Sequence, residues 1–118
     1  MIKLVTLLYR RPGMSVGDFR AYYESTHRLI GEKVLGGHAC RYVRRFTDPA
    51  DGVARPEDPD VVMEIWFPDR ARYDACFAEI MKPEVIAMIT EDEERLFDRE
   101  RMRSYIVTEC ESEMPNPA

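Results

Sequence analysis

The chain has 118 residues, enough for one domain with one core, and its 45% hydrophobic and 33% charged residues fit a globular protein rather than a disordered or membrane-embedded one. A net charge of −5 is the wrong sign for a phosphate-backbone binder, so nucleic acid is not expected as a partner. No apolar run approaches the ~18 residues of a bilayer span, and the opening MIKLVTLLYRRPG has no small-residue cleavage site, so neither a membrane partner nor export is expected.

Residues 2–10 mix β-branched and apolar side chains and stop at the turn signal Arg11-Pro12-Gly13, which predicts a first strand. A helix follows over 16–34, with Ser15 as N-cap and Asp18 near the positive end of the helix dipole. Val16, Phe19, Tyr23, Ile30 and Val34 form its apolar stripe. At about 100° per residue, His27 falls inside that stripe, so an imidazole faces the core, with Tyr23 one turn before it. Gly36-Gly37 ends the helix. Residues 38–46 read as a second strand whose Arg41, Arg44 and Arg45 make either a solvated strand face or a local anion site. Residues 47–59 are an exposed, proline-rich and acidic loop, expected to be the most mobile part.

Residues 61–67 give the clearest strand: Val61, Met63, Ile65 and Phe67 alternate with Val62, Glu64 and Trp66. Pro68-Asp69 opens a second helix in which Tyr73, Phe77, Ile80 and Met81 share a face, until Lys82-Pro83 interrupts it. A further short helix starts at Pro83, with Val85, Ile89 and Leu96 as its stripe and Glu91-Asp92-Glu93-Glu94 in its last turns. Residues 102–110 form a final strand, which closes a domain over 1–110, and 111–118 form a poorly ordered tail. Cys40, Cys76 and Cys110 are odd in number, far apart and without a CxxC pair, so they read as reduced thiols of a cytoplasmic protein.

The order β-α-β-β-α-β predicts an α+β, ferredoxin-like fold, a four-stranded antiparallel sheet with helices on one face. Because the strands carry apolar or aromatic residues on both alternations, the bare sheet face is expected to be covered by a second copy, sheet on sheet, in a homodimer.

Tyr9-Arg10-Arg11-Pro12-Gly13-Met14-Ser15, followed by Phe19, Tyr22-Tyr23, His27 and Leu29, resembles the opening of the EthD-domain family. Glu64-Ile65-Trp66-Phe67 and Asp92-Glu93-Glu94-Arg95-Leu96-Phe97-Asp98 are similar to the family's two other recurring segments, so the resemblance covers about residues 2–110. It implies a dimeric α/β barrel with a pocket, free of cofactor, between each sheet and its helices. It also implies either decarboxylation or dehydration of aromatic substrates or an accessory role in ether degradation. Tyr23 stands where the family often has Trp, and Arg28 where a small residue is frequent, so a long cation beside His27 either closes the pocket or selects an anionic group.

His27 is therefore either a hydrogen-bonded core filler or a general acid/base with Tyr23 as its partner or proton donor. Asp92 shares a helical face with Val85, Ile89 and Leu96, which makes it the best carboxylate to orient the imidazole, unless the whole acidic run is a solvated helix end. Glu64, in an otherwise apolar strand, needs a partner or water: it either lines the pocket or pairs with an Arg such as Arg41 at the dimer interface. Phe19, Trp66 and Arg28 complete the candidate ligand contacts, although a Trp in such a strand is more often core than ligand platform. Neither HExxH, nor a Cys/His metal spacing, nor GxSxG, nor a Gly-rich phosphate loop occurs, so neither a metal nor another cofactor is expected. The expected function is cofactor-independent proton abstraction next to a carbonyl of a small, mostly apolar oxygenated ligand, leading to dehydration, decarboxylation or isomerisation. The rival is a non-catalytic protein that carries the same ligand.

Overall fold

Alternation along the third strand decides which side of the sheet is covered in the computed structural model, which describes residues 1–117. The expected tail over 111–118 has no regular secondary structure over 111–117, and its last residue lies outside the described residues. In chain order the elements are β1 (Ile2–Leu8), α1 (Val16–Tyr22), a π-helical turn (Tyr23–His27), α2 (Arg28–Leu35), β2 (Arg41–Phe46), β3 (Val61–Phe67), α3 (Arg70–Ile80), α4 (Pro83–Leu96), a 3-10 turn (Arg99–Arg101) and β4 (Arg103–Ile106). The sheet runs β2-β3-β1-β4, antiparallel throughout, which is the ferredoxin-like α+β arrangement. No helix among the described residues is long and apolar enough to cross a membrane.

Three strands are shorter than the sequence pattern predicts, β1 and β4 trimmed by their partners and β2 by a turn. β1 ends at Leu8 rather than at 10 because Leu8 already faces Val61, the first residue of β3; Arg10 keeps only an isolated bridge to Phe97. β4 ends at Ile106 rather than at 110: Ile106 pairs with Leu4, the Val107 N–H donates to the Lys3 carbonyl at 3.1 Å, and β1 then runs out. β2 starts at Arg41 rather than at 38, since 36–40 are taken up by the turn leaving α2. There Gly37 holds φ +82°, a left-handed value that a side chain would strain.

The helices also depart from the expected pattern. The helix predicted over 16–34 is interrupted by the π-helical turn, and Val16, placed in its buried stripe by periodicity, is 42% exposed in the first turn. Met81 caps α3 at 63% exposure instead of sharing its buried face. The helix from Pro83 is not short; at 14 residues it is the longest of the four, with Pro83 in the first turn where its missing N–H costs nothing.

Leu4, Thr6 and Leu8 of β1 and Val61, Ile65 and Phe67 of β3 are buried toward the helices. The core forms two clusters, one around Phe19, Tyr23, Leu96 and Phe97, the other around Leu35, Ile65, Phe67 and Cys76. The opposite sheet face carries no helix. Its side chains form three cross-strand rungs, Arg45-Val62-Leu7-Arg103, Val43-Glu64-Val5-Tyr105 and Arg41-Trp66-Lys3.

Candidate functional site

The site is built where the first helix changes its winding. The Arg28 N–H reaches back five residues to the Tyr23 carbonyl, which inserts one extra residue into the turn. Tyr-Glu-Ser-Thr-His is a weak helix segment, with a β-branched Thr26 and a Ser25 hydroxyl that donates to the Tyr22 carbonyl at 3.4 Å in competition with the helical ladder. Such π turns recur at functional sites.

The turn presents His27 between two aromatic edges. Tyr23 and Phe97 both meet the imidazole edge-to-face, with ring centroids at 5.2 and 5.1 Å. Behind the ring, Nδ1 lies 2.8 Å from Oδ2 of Asp92, a residue only 2% exposed near the end of α4. The other Asp92 oxygen accepts the hydroxyl of Tyr22, and the Arg95 guanidinium stands 3.7 Å from it. A carboxylate accepts and does not donate, so in the neutral imidazole this network places the proton on Nδ1 and makes Nε2 the acceptor. No hydrogen bond among the described residues takes Nε2.

In front of the ring lies a cavity of about 310 Å³ between the helices and the sheet. Leu4, Met63 and Ile65 line its floor, Ile30, Val34, Ile86 and Ile89 its opposite wall, and the polar groups are few: His27, Thr90, Glu93, Arg99, Tyr42 and the Thr6–Ser104 hydroxyl pair. Gly31 also lines it, because a Cβ there would stand 2.8 Å from the Tyr42 hydroxyl. An apolar cavity with a few convergent polar groups is the usual form of a small-molecule site.

Glu93 was not singled out by the sequence pattern. Its side chain is 15% exposed, and its carboxyl lies 3.8 Å from the Arg99 guanidinium. Burial pushes the carboxyl above the ordinary glutamate range, with the Asp92 charge adding to the effect and Arg99 and His27 opposing it. The available signal was the spacing Ile86, Ile89, Thr90, Glu93, a second stripe on α4 beside the one that carries Asp92. Tyr22 was passed over for its neighbour. Burial, and then the bond to Asp92, raise the Tyr22 phenol above its usual range, so it remains a neutral donor.

The other expected residues lie elsewhere. Tyr23 is fully buried, and its hydroxyl meets Tyr42 at 3.3 Å and the Met63 sulfur at 3.6 Å, so it touches His27 by its ring edge and makes no bond to Asp92. Burial, with Tyr42 beside it, raises its phenol as well. Phe19 is a core residue packed on Phe46, Tyr23 and Phe97, outside the cavity lining. Arg28 turns outward to the Glu24 carbonyl and to Glu32, so it neither closes the pocket nor offers it a cation. Glu64 and Trp66 are on the helix-free sheet face. Glu64 pairs with Arg45 at 2.8 Å rather than with Arg41, and the Trp66 side chain together with Arg45 holds its carboxyl below the usual range. Trp66 is stacked between Lys3 and Arg41, 3.8 and 4.5 Å from its ring. Arg44 grips Glu24 through two bonds of 2.9 Å, so of the three β2 arginines two are ion-paired and Arg41 is held by stacking on Trp66. His38, the only other histidine, is half-buried and lies outside the cavity lining. Among the described residues no group of three or more His, Cys, Asp or Glu is placed to hold a metal ion.

A family model for the EthD domain matches residues 11–100. Among solved structures, the chain is similar to an EthD family protein of Bacillus halodurans C-125, with a TM-score of 0.66 at 14% identity over 93% of this chain and 100% of that one. A NIPSNAP-like domain protein of Burkholderia xenovorans superposes with a TM-score of 0.59 at 20% identity, over 98% and 90% of the two chains. The cofactor-independent oxygenase SnoaB of Streptomyces nogalater does so with a TM-score of 0.55 at 11% identity, over 94% of each. A search of curated proteins gives no match. At these identities the solved structures share the fold alone, and it is the family match across most of the chain that decides its membership: the protein belongs to the EthD domain family.

Proposed function

We propose that this chain binds a small, mostly apolar, oxygen-bearing metabolite in the cavity beside His27 and transfers a proton there without a cofactor. His27 is the general base, Asp92 fixes its tautomer, and Tyr22 fixes Asp92. The step is abstraction of a proton next to a carbonyl, which can open a dehydration, a decarboxylation or an isomerisation. One observation carries this reading: the imidazole is bonded to a buried carboxylate at 2.8 Å through Nδ1 while the same ring lines an apolar cavity of about 310 Å³. A ring kept only as core filler has no need of both. A cofactor-independent oxygenase on the same fold supports a reactive cavity on this scaffold. The protein is further proposed to act as a cytoplasmic homodimer joined through the helix-free sheet face.

The test is deuterium incorporation from D2O at the α-carbon of a panel of aryl alkyl ketones, followed by NMR. Wild type should accelerate exchange of at least one ketone, and His27→Asn should lose ~10²–10⁴-fold of that rate while still binding it. Binding without accelerated exchange across the panel would replace the catalytic reading by that of a carrier.

A further inference from the structure

The Asp92–His27 pair leaves one feature of the cavity unexplained. A base alone removes a proton, and the electron pair left behind needs an acid or another electrophile at the carbonyl oxygen. Thr90 and the Thr6–Ser104 pair are weak donors, the Tyr42 hydroxyl is shared with that of Tyr23 at 3.3 Å, and Arg99 already faces a carboxyl. Glu93 lies next to Asp92 in sequence, lines the same cavity as His27, and is 15% exposed with a 3.8 Å separation from Arg99, longer than a hydrogen bond. A carboxylate in that place would be poorly solvated and incompletely paired.

We propose that Glu93 is a second proton-handling residue of this cavity, donating to the carbonyl oxygen of a bound ligand opposite the base His27, so that the ligand is a neutral, mostly apolar carbonyl compound rather than a carboxylate. This rests on the reading of His27 as base and deepens it. Nε2 of His27 takes the α-proton, the C–H electron pair becomes the C=C bond of an enol, and the carbonyl oxygen takes the Glu93 proton. The enzyme is left with an imidazolium and a carboxylate, no oxidant or reductant is needed, and the reverse step restores both groups. The charged or titratable groups facing Glu93 are Arg99 from the 3-10 turn, His27 from the π turn and Asp92 from its own helix, and burial outweighs the two that favour ionisation, so the carboxyl is raised above its ordinary value.

The probe is acetophenone labelled with carbon-13 at its carbonyl, with benzoate as its anionic counterpart. Bound to wild type, the carbonyl signal should move downfield. The shift should disappear in Glu93→Leu, shrink in Glu93→Gln, which keeps a weaker donor and serves if the leucine variant does not fold, and persist in Arg99→Met. Benzoate should bind more weakly than acetophenone. If acetophenone moves the His27 ring signals but its carbonyl stays unshifted, or if the shift is lost with Arg99 instead, Glu93 is not the donor and the His27 reading survives alone. Tighter binding of benzoate overturns the neutral-ligand assignment, and a probe that leaves the His27 signals unmoved overturns both readings.

Discussion

His27 Nδ1 and Asp92 Oδ2 lie 2.8 Å apart, a contact between residues 65 positions apart that ties the π turn of the first helix to the last turns of α4. Because Tyr22 donates to the other oxygen of the same carboxylate, three residues from two helices form one network behind the imidazole. Their order matters: the carboxylate accepts from both sides, so it is Asp92 that decides which nitrogen of His27 is free.

Replacing Asp92 by Asn should therefore turn the ring around chemically without removing it. The amide can donate to Nδ1, which moves the proton to Nε2 and blocks the face toward the cavity. Expected outcomes are a His27 tautomer switch seen in its nitrogen-15 shifts and a ~10–100-fold loss of ketone exchange. Removal of a buried acceptor should also cost about 1–3 kcal/mol of stability, read by denaturant titration.

Tyr22 and Tyr23 should behave oppositely on losing their hydroxyls. Tyr22→Phe leaves Asp92 short of one donor and should lower exchange through His27, with about 1 kcal/mol of destabilisation. Tyr23→Phe breaks only the contacts to Tyr42 and Met63 and keeps the ring edge against His27, so exchange should stay near wild type even where stability falls. Equal losses of exchange in the two variants would place the positioning role outside the Tyr22–Asp92 bond.

That contrast marks how far the sequence carries. The inward turn of His27 was legible because the apolar stripe persists on both sides of it, and Asp92 because it shares the face of Ile89 and Leu96. Choosing between Tyr22 and Tyr23 was not, since adjacent positions on a helix are separated by about 100° and only the docking of α4 and the wider π turn decide which one meets the carboxylate. Glu93 was hidden for a related reason: α4 carries two neighbouring stripes, and the acidic run looks solvated until the cavity is seen beside it. For Glu64 the strand parity was readable, placing it with Val62 and Trp66, but parity alone does not say which face receives the helices.

Two carboxyls should leave opposite marks on the acid stability profile. Glu93 is raised above its ordinary value of 4.5, chiefly by burial, so folding favours its protonated form. The stability linked to it is fully present below that value and is lost as pH rises through the folded one. Glu93→Gln should thus melt a few degrees higher than wild type at neutral pH and lose that advantage below pH 4.5. Glu24 is lowered from 4.5, first by its bonds to Arg44, so its contribution is present above that value and fades as pH falls. With its side chain 42% exposed the effect is screened and small, and Glu24→Gln should be slightly less stable than wild type at neutral pH only.

The helix-free sheet face should join two copies. Its middle rung runs Val43-Glu64-Val5-Tyr105, with Glu64 only 8% exposed and paired to Arg45, while Tyr105 at the edge remains 43% exposed. Apolar side chains flank one neutralised carboxylate there, a surface that gains by burial against itself. A sheet-on-sheet interface should exceed ~1,000 Å² and give a stable dimer at micromolar concentration in sedimentation. Val5→Glu would set a second carboxylate beside Glu64 in the middle of that rung, and in a symmetric interface the substitution enters twice. This variant should sediment as a monomer that keeps the helix-side cavity and its ketone binding. A wild type that is monomeric at micromolar concentration would remove the sheet face as an interface.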